Sequence, residues 1–145
     1  MSYALSRLMS TATASYAGYC FVHPEHLGNA LGADKDEQAG YDLLANVFGV
    51  RDAAISTFDI LGRSDRTVRT AMWIRIACDV GDGLVLASRL DDEEAKVKVL
   101  GATMTWGALN LVALTLDKRR ARRAEAAKKL VSAAGTVADK VTHRS

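Results

Sequence analysis

Proline and cysteine are scarce in this chain. Its 145 residues include one proline, two cysteines and 11 glycines. So little proline and glycine excludes a collagen-like or Pro/Gly-rich disordered chain. Cys20 and Cys78 both fall in apolar stretches. They make no disulfide framework and read as small buried hydrophobes. Strand signals are also missing. The two short alternations at residues 74–76 and 80–85 are not bounded by turn residues, so the expected fold class is all-α. No basic start leads into a short apolar segment with a small-residue cleavage site, so the first apolar run is expected to be retained. No repeat is present, and the length suits one domain.

The bulk averages conceal an uneven distribution. Mean hydropathy is +0.01 and the formal net charge is +2, as in many water-soluble proteins. Yet residues 8–22 and 99–116 carry no charge, and residues 2–22 carry only Arg7. The 18 residues of the second run approach the length needed to cross about 30 Å of hydrocarbon as a helix. Residues 117–123 read DKRRARR, with Lys128 and Lys129 close behind.

Helical periodicity and punctuation divide the chain into four segments and a tail. Segment one covers residues 3–22 and stops before Pro24, which disfavours helix at His23. A polar connection runs from His23 to about Gly40, with a short helical turn in HPEHLGNALG. Segment two covers residues 41–61 and ends at Gly62. Segment three covers residues 67–90, capped by Ser64 or Asp65. Segment four covers residues 93–116, capped by Asp91 or Asp92. In the tail, Leu130, Ala134, Val137 and Val141 recur at helical spacing, as in a surface helix or one that frays in water.

If the four segments span a membrane, their connections alternate sides. One side holds Lys35, Arg89, Lys96 and Lys98. The other holds Arg7, Arg63, Arg66 and Arg69 together with Lys118, Arg119, Arg120, Arg122, Arg123, Lys128 and Lys129. Four bases against eleven is a positive-inside pattern with both termini cytoplasmic. The layout predicts a four-helix transmembrane domain over residues 1–116 and a basic, partly helical cytoplasmic tail over 117–145.

Charges also sit inside the segments. On segment two, Asp42, Asn46, Gly49, Asp52, Ser56 and Asp59 step by three and four and share a face. Arg51 and Asp52 lie at its centre. On segment three, Arg75, Asp79 and Asp82 form a second stripe. An unpaired charge at mid-bilayer costs about 2.5–3.5 kcal/mol. The stripes should therefore face inward and pair, Arg51 with Asp79 or Asp82 and Arg75 with Asp52 or Asp79. Three acids against two bases leave one carboxylate in excess. On segment four, Thr103, Gly107 and Asn110 share a face expected to turn toward the stripes.

Other features are less specific. His23, Glu25 and His26 offer three metal ligands and no fourth, so neither a metal nor a cofactor is expected. Gly81 and Gly83 permit close helix approach. Tyr16, Tyr19, Trp73 and Trp106 read as packing or lipid-facing groups. The basic run after an apolar segment suits anionic headgroups through Lys118, Arg119, Arg120, Arg122 and Arg123, rather than nucleic acid.

Pro24, Gly28 and Gly32 after the first helix, Gly49-x-Arg51-Asp52 in the second and Arg75-x3-Asp79-x2-Asp82 in the third together resemble small four-span bacterial membrane proteins. That family is a domain of unknown function, distantly DoxX-like in layout. The resemblance covers residues 16–116. It implies four spans and a central role for the charged stripes, and it supplies no reaction. The long basic tail departs from the family's usual short end. The functional expectation is an integral protein of the bacterial cytoplasmic membrane, a non-catalytic accessory or interaction subunit with a buried Arg/Asp network. Its partners would be membrane lipid, other subunits or itself. Two alternatives stand beside it. One is a small membrane enzyme or carrier using Asp79 or Asp82 on a lipid-soluble small molecule. The other is a soluble helical bundle.

Overall fold

The computed structural model describes residues 3–142, with side chains described as far as residue 134. Five helices follow in order, α1 (Ala4–Val22), α2 (His26–Leu31), α3 (Lys35–Leu61), α4 (Asp65–Ala87) and α5 (Glu93–Thr142). Among the described residues there is no strand.

Local chemistry sets the boundaries. At the end of α1, the His23 N–H donates to the Tyr19 carbonyl at 2.8 Å before Pro24 turns the chain. The short α2 ends at Gly32, whose φ of 73° lies in the left-handed region. The Ala33 N–H donates to Gly28 O at 2.9 Å and the Gly32 N–H to Asn29 O at 3.4 Å, closing a Schellman motif. Two residues later α3 begins with a capping box. Asp34 Oδ1 accepts from the Asp36 and Glu37 N–H groups at 2.9 Å, and Glu37 Oε2 accepts from the Asp34 N–H at 3.3 Å. The helix therefore starts six residues before Tyr41, and the acidic cluster expected in a loop forms its first turn. Ser64 caps α4, accepting from the Thr67 N–H at 3.0 Å. Asp92 caps α5, accepting from the Ala95 N–H at 2.9 Å. No break separates segment four from the tail, because α5 continues through residues 116 and 117 to Thr142. The side chains of Val137 and Val141, expected on a tail helix face, lie outside the described residues.

The long helices pack pairwise, α1 against α3 and α4 against α5, with α3 also meeting α4 and α1 meeting α5. Small residues permit the close crossings. A Cβ on Gly49 would stand 3.2 Å from Ala17 O and Cys20 Cβ on α1, and one on Gly83 would collide with Thr103 Oγ1 on α5.

Burial is distributed unusually. Tyr3, Val68, Met72 and Leu114 form a small apolar cluster, and the other buried apolar residues are mostly alanines, with Cys20, Leu86 and Val99. Buried beside these are Ser6, Ser10, Thr13, Asp52, Ser56, Asp59, Arg75, Asp79, Asn110 and Asp117. Outside, large apolar side chains are exposed along each long helix, among them Phe21, Val47, Phe58, Trp73, Ile74, Leu84, Leu109 and Val112. The exposed positions carry no charge over residues 8–22 of α1, 43–61 of α3, 70–87 of α4 and 99–116 of α5.

By composition, one helix among the described residues is long and apolar enough to cross a membrane. It spans Glu93–Ala134 within α5, and 28% of its most apolar stretch is buried. The other three long helices fall short of that mark for identifiable reasons. Serine and threonine are frequent in α1, while α3 and α4 carry their charges mid-helix.

Candidate functional site

The inward faces of α3 and α4 bring the two charged stripes together. Gly49, Asp52, Ser56 and Asp59 are buried on α3, and Asp42 and Asn46 half-buried. On α4, Arg75 and Asp79 are buried and Asp82 is half-buried.

Arg51 joins the helices. Its Nη1 donates to Asp82 Oδ1 at 2.8 Å, and Nη2 stands 2.7 Å from Asp82 Oδ2. This is the bidentate fork that makes guanidinium–carboxylate pairs strong. Nε and Nη2 also donate to Asp52 Oδ1, at 3.2 and 3.0 Å. The Phe48 ring covers the guanidinium at 5.0 Å. The expected Arg51–Asp82 pair is therefore present, and Asp52 shares the same arginine.

Arg75 behaves otherwise. The sequence suggests a pair with Asp52 or Asp79, and neither carboxylate bonds to it. Its Nη2 donates to Ser56 Oγ at 2.7 Å, with a long 3.5 Å contact to the Asp52 carbonyl. Nε and Nη1 are buried without a hydrogen-bond partner. The reason is geometric. Arg51 takes Asp52 Oδ1, and the Arg75 side chain reaches α3 one turn further on, at Ser56. Arg75 is 1% exposed, so it remains close to the surrounding acids while making no contact ion pair.

Asp79 is the carboxylate in excess. It is 9% exposed, and its Oδ2 has no hydrogen-bond partner. The residue faces Gly107 of α5, where an added Cβ would stand 3.4 Å from Asp79 Cβ. The third expected stripe does turn inward here, since Gly107 and Asn110 are buried. Asn110 is nonetheless separate from the charged cluster. Its Nδ2 donates to its own helix at Trp106 O, 2.9 Å away, and its Oδ1 is unpartnered.

Arg51, Asp52, Asp79 and Asp82 line one end of a cavity of about 510 Å³. Phe48, Leu86, Val99 and Trp106 supply apolar walls. Across it, Trp106 Nε1 donates to Thr13 Oγ1 at 3.2 Å, tying α5 to α1. His26, Leu27, Ala30 and Leu31 bring α2 onto the cavity. Tyr16 lines it too, and its hydroxyl stands 2.9 Å from His26 Nε2. His26 Nδ1 is 2.6 Å from the His23 carbonyl. A carbonyl only accepts, so Nδ1 carries the hydrogen and donates to it. Nearby, Glu25 is held below the usual carboxylate range by a backbone N–H and by the His23 ring 3.2 Å away.

Sequence reasoning missed a second polar layer at the other end. Ser10 Oγ donates to Asp59 Oδ2 in a short hydrogen bond. Asp117 Oδ2 accepts from the Ser6 N–H at 2.8 Å and from Ser6 Oγ at 3.0 Å. Arg7 donates to Ile60 O and Gly62 O at 2.6 and 2.5 Å, satisfying carbonyls at the end of α3. The signal was present. Ser6, Ser10, Thr13, Ala17 and Cys20 step by three and four on α1, and Asn110, Leu114 and Asp117 do so on α5. Asp117, read from the sequence as the first residue of a charged tail, is buried and continues the inward face of α5. Beyond it Lys118 is half-buried, and Arg119, Arg120, Arg122 and Arg123 are exposed.

No protein-family model matches the chain, and no curated protein or solved structure is significantly similar to it.

Proposed function

We propose that the chain is a multi-pass protein of the bacterial cytoplasmic membrane, and that its interior cavity receives a lipid-soluble small molecule. In this reading α1, α3, α4 and the first half of α5 form a four-helix spanning bundle. The observation that carries it is the inverted burial. Among the described residues, ten charged, amide or hydroxyl residues are buried inside beside twelve mostly small apolar ones, while uncharged, largely apolar bands with many large side chains form the outside. In water that arrangement forfeits the main driving force for folding. In hydrocarbon it is the favourable one, because polar groups are costly where they meet lipid. A band of 18 residues, as on α5, is about 27 Å tall, close to the hydrocarbon thickness of about 30 Å. Composition alone undercounts α3 and α4, since their mid-helix charges face Arg51, Asp82 and the cavity rather than the outside.

The alternation of basic residues supports cytoplasmic termini. It also supports contact of Lys118, Arg119, Arg120, Arg122 and Arg123 with anionic headgroups. The resemblance in Gly49-x-Arg51-Asp52 and Arg75-x3-Asp79-x2-Asp82 agrees with four spans.

One observation favours a second reading. Arg51 is committed to two carboxylates and locks α3 to α4, as a pure packing device would in a non-catalytic accessory subunit. Its partners would then be other subunits or a second copy.

Carbonate extraction of membranes from expressing cells tests the placement. The protein is expected in the pellet, and release into the wash would assign it to the water-soluble helical class. Asp82→Asn separates the two readings. A packing device loses thermal stability and nothing else, whereas a binding site also loses affinity for its occupant.

A further inference from the structure

The cavity is asymmetric in a way that selects its ligand. Its volume of about 510 Å³ falls within the range of small-molecule sites, about 300–1,000 Å³. One end carries three carboxylates, Asp52, Asp79 and Asp82, and a single guanidinium, Arg51. That guanidinium is already engaged by Asp52 and Asp82. An anionic ligand arriving there would face carboxylate oxygens, with the arginine already taken. Lys98 lies at the rim, but its Nζ is 2.8 Å from Glu94 Oε1 and its side chain is 63% exposed. Its charge therefore belongs to the surface.

Buried oxygens of Asp59 and Asp117 are also without a partner, but among the acids that line the cavity Asp79 is the one that accepts no hydrogen bond. It is nine-tenths buried and lines the cavity, and no side chain donates to either of its oxygens; Oδ2 is sealed against α5 beside Gly107, which leaves Oδ1 as the oxygen open to the cavity. Arg75 behind it supplies neighbouring positive charge and donates to Ser56 instead. A buried carboxylate oxygen without a donor is costly, and a charge-assisted N–H···O bond is the strongest way to satisfy it. Tyr16 and Trp106 add aromatic walls, which attract cations through their π faces while accepting apolar surface.

We propose that the cavity binds a lipophilic amine in its protonated form, the ammonium N–H donating to Asp79 and the apolar body lying against Phe48, Leu86 and Trp106. This inference rests on the reading of the cavity as a small-molecule site and names the class of molecule it takes.

A matched series of probes tests it with the full chain purified in a non-ionic maltoside micelle. The probes are 4-phenylbutylamine, 4-phenylbutanol and 4-phenylbutyrate, titrated calorimetrically. The amine is expected to bind at least tenfold more tightly than the alcohol, and the carboxylate more weakly than both. Asp79→Asn should reduce amine affinity at least tenfold and leave the alcohol unchanged. Ala30→Trp, on exposed α2 at the cavity edge, should weaken all three without unfolding the protein, so it reports on the cavity even if Asp79→Asn does not fold. Equal binding of amine and alcohol by the native chain, or an Asp79→Asn variant that keeps its amine affinity, would overturn the amine assignment and leave a small-molecule cavity standing. Failure of all three probes to bind the native chain would overturn both.

Discussion

Where α1 begins and α3 ends, buried carboxylates are met by serines. Under α2, they are met by one arginine or by nothing. At the first end Ser10 reaches Asp59, and Ser6 reaches Asp117 with both its hydroxyl and its backbone N–H. Tyr3, Val68, Met72 and Leu114 pack beside them. At the second end the same helix offers Thr13 and Tyr16, whose hydroxyls turn to Trp106 and His26. Asp79 is left without a donor. Both ends bury acids on similar helices. The difference is whether a short hydroxyl side chain from α1 comes close enough to close the gap. Where it does, the helices are stitched together. Where it does not, a cavity remains.

Mutations at the two ends should separate accordingly. The largest effect is expected for Arg51→Leu, which strands Asp52 and Asp82 together. Breaking a partly buried ion pair from one side, with two carboxylates left facing each other, should cost about 3 kcal/mol, toward the lower end for buried pairs, read as a large fall in Tm of the detergent-solubilised protein. A small shift would mean that water already screens the cluster. Ser10→Ala should cost about 2 kcal/mol, because Asp59 loses its hydroxyl donor in a buried site. Ser6→Ala should cost less, since its N–H still serves Asp117. Equal losses at these two serines would break the stitching account. Gly83→Ala forces α4 away from α5 and should cost about 1–3 kcal/mol as overpacking. Thr103→Ala in the same chain should restore most of it, and a double variant as unstable as the single would place the strain elsewhere. The smallest effect belongs to Asp34→Ala, which removes the α3 cap for about 1 kcal/mol, seen as faster amide exchange in the first turn of α3.

Much of this was legible in the residues. The stops at Pro24 and Gly62, the caps at Ser64 and Asp92 and the inward stripes follow from local chemistry and a 3.6-residue period. A pairing of Arg51 with Asp79 or Asp82 also followed from the stripes, and the structure selects Asp82. The start of α3 was legible too, since Asp34 and Glu37 have the capping-box spacing, but a cluster of acids reads easily as loop. Two features depended on three-dimensional placement. Arg75 donates to Ser56 rather than to a carboxylate, a choice of partner that spacing does not reveal. The cavity exists because α2 folds back over the charged end, and nothing in six residues announces where they will dock.

The unbroken α5 has a mechanical consequence. Asp117 is anchored inside by Ser6, and the helix carries on to Thr142. At 1.5 Å per residue that makes a projecting rod of about 38 Å. On the proposed orientation, residues 118–123 fall within about 9 Å of the anchor, whereas Lys128 and Lys129 ride roughly 17 Å out. Since salt screens charge over about 8 Å, only the near cations would feel the bilayer. The far stretch is held off like an outrigger, at a fixed reach, toward whatever approaches from the aqueous side.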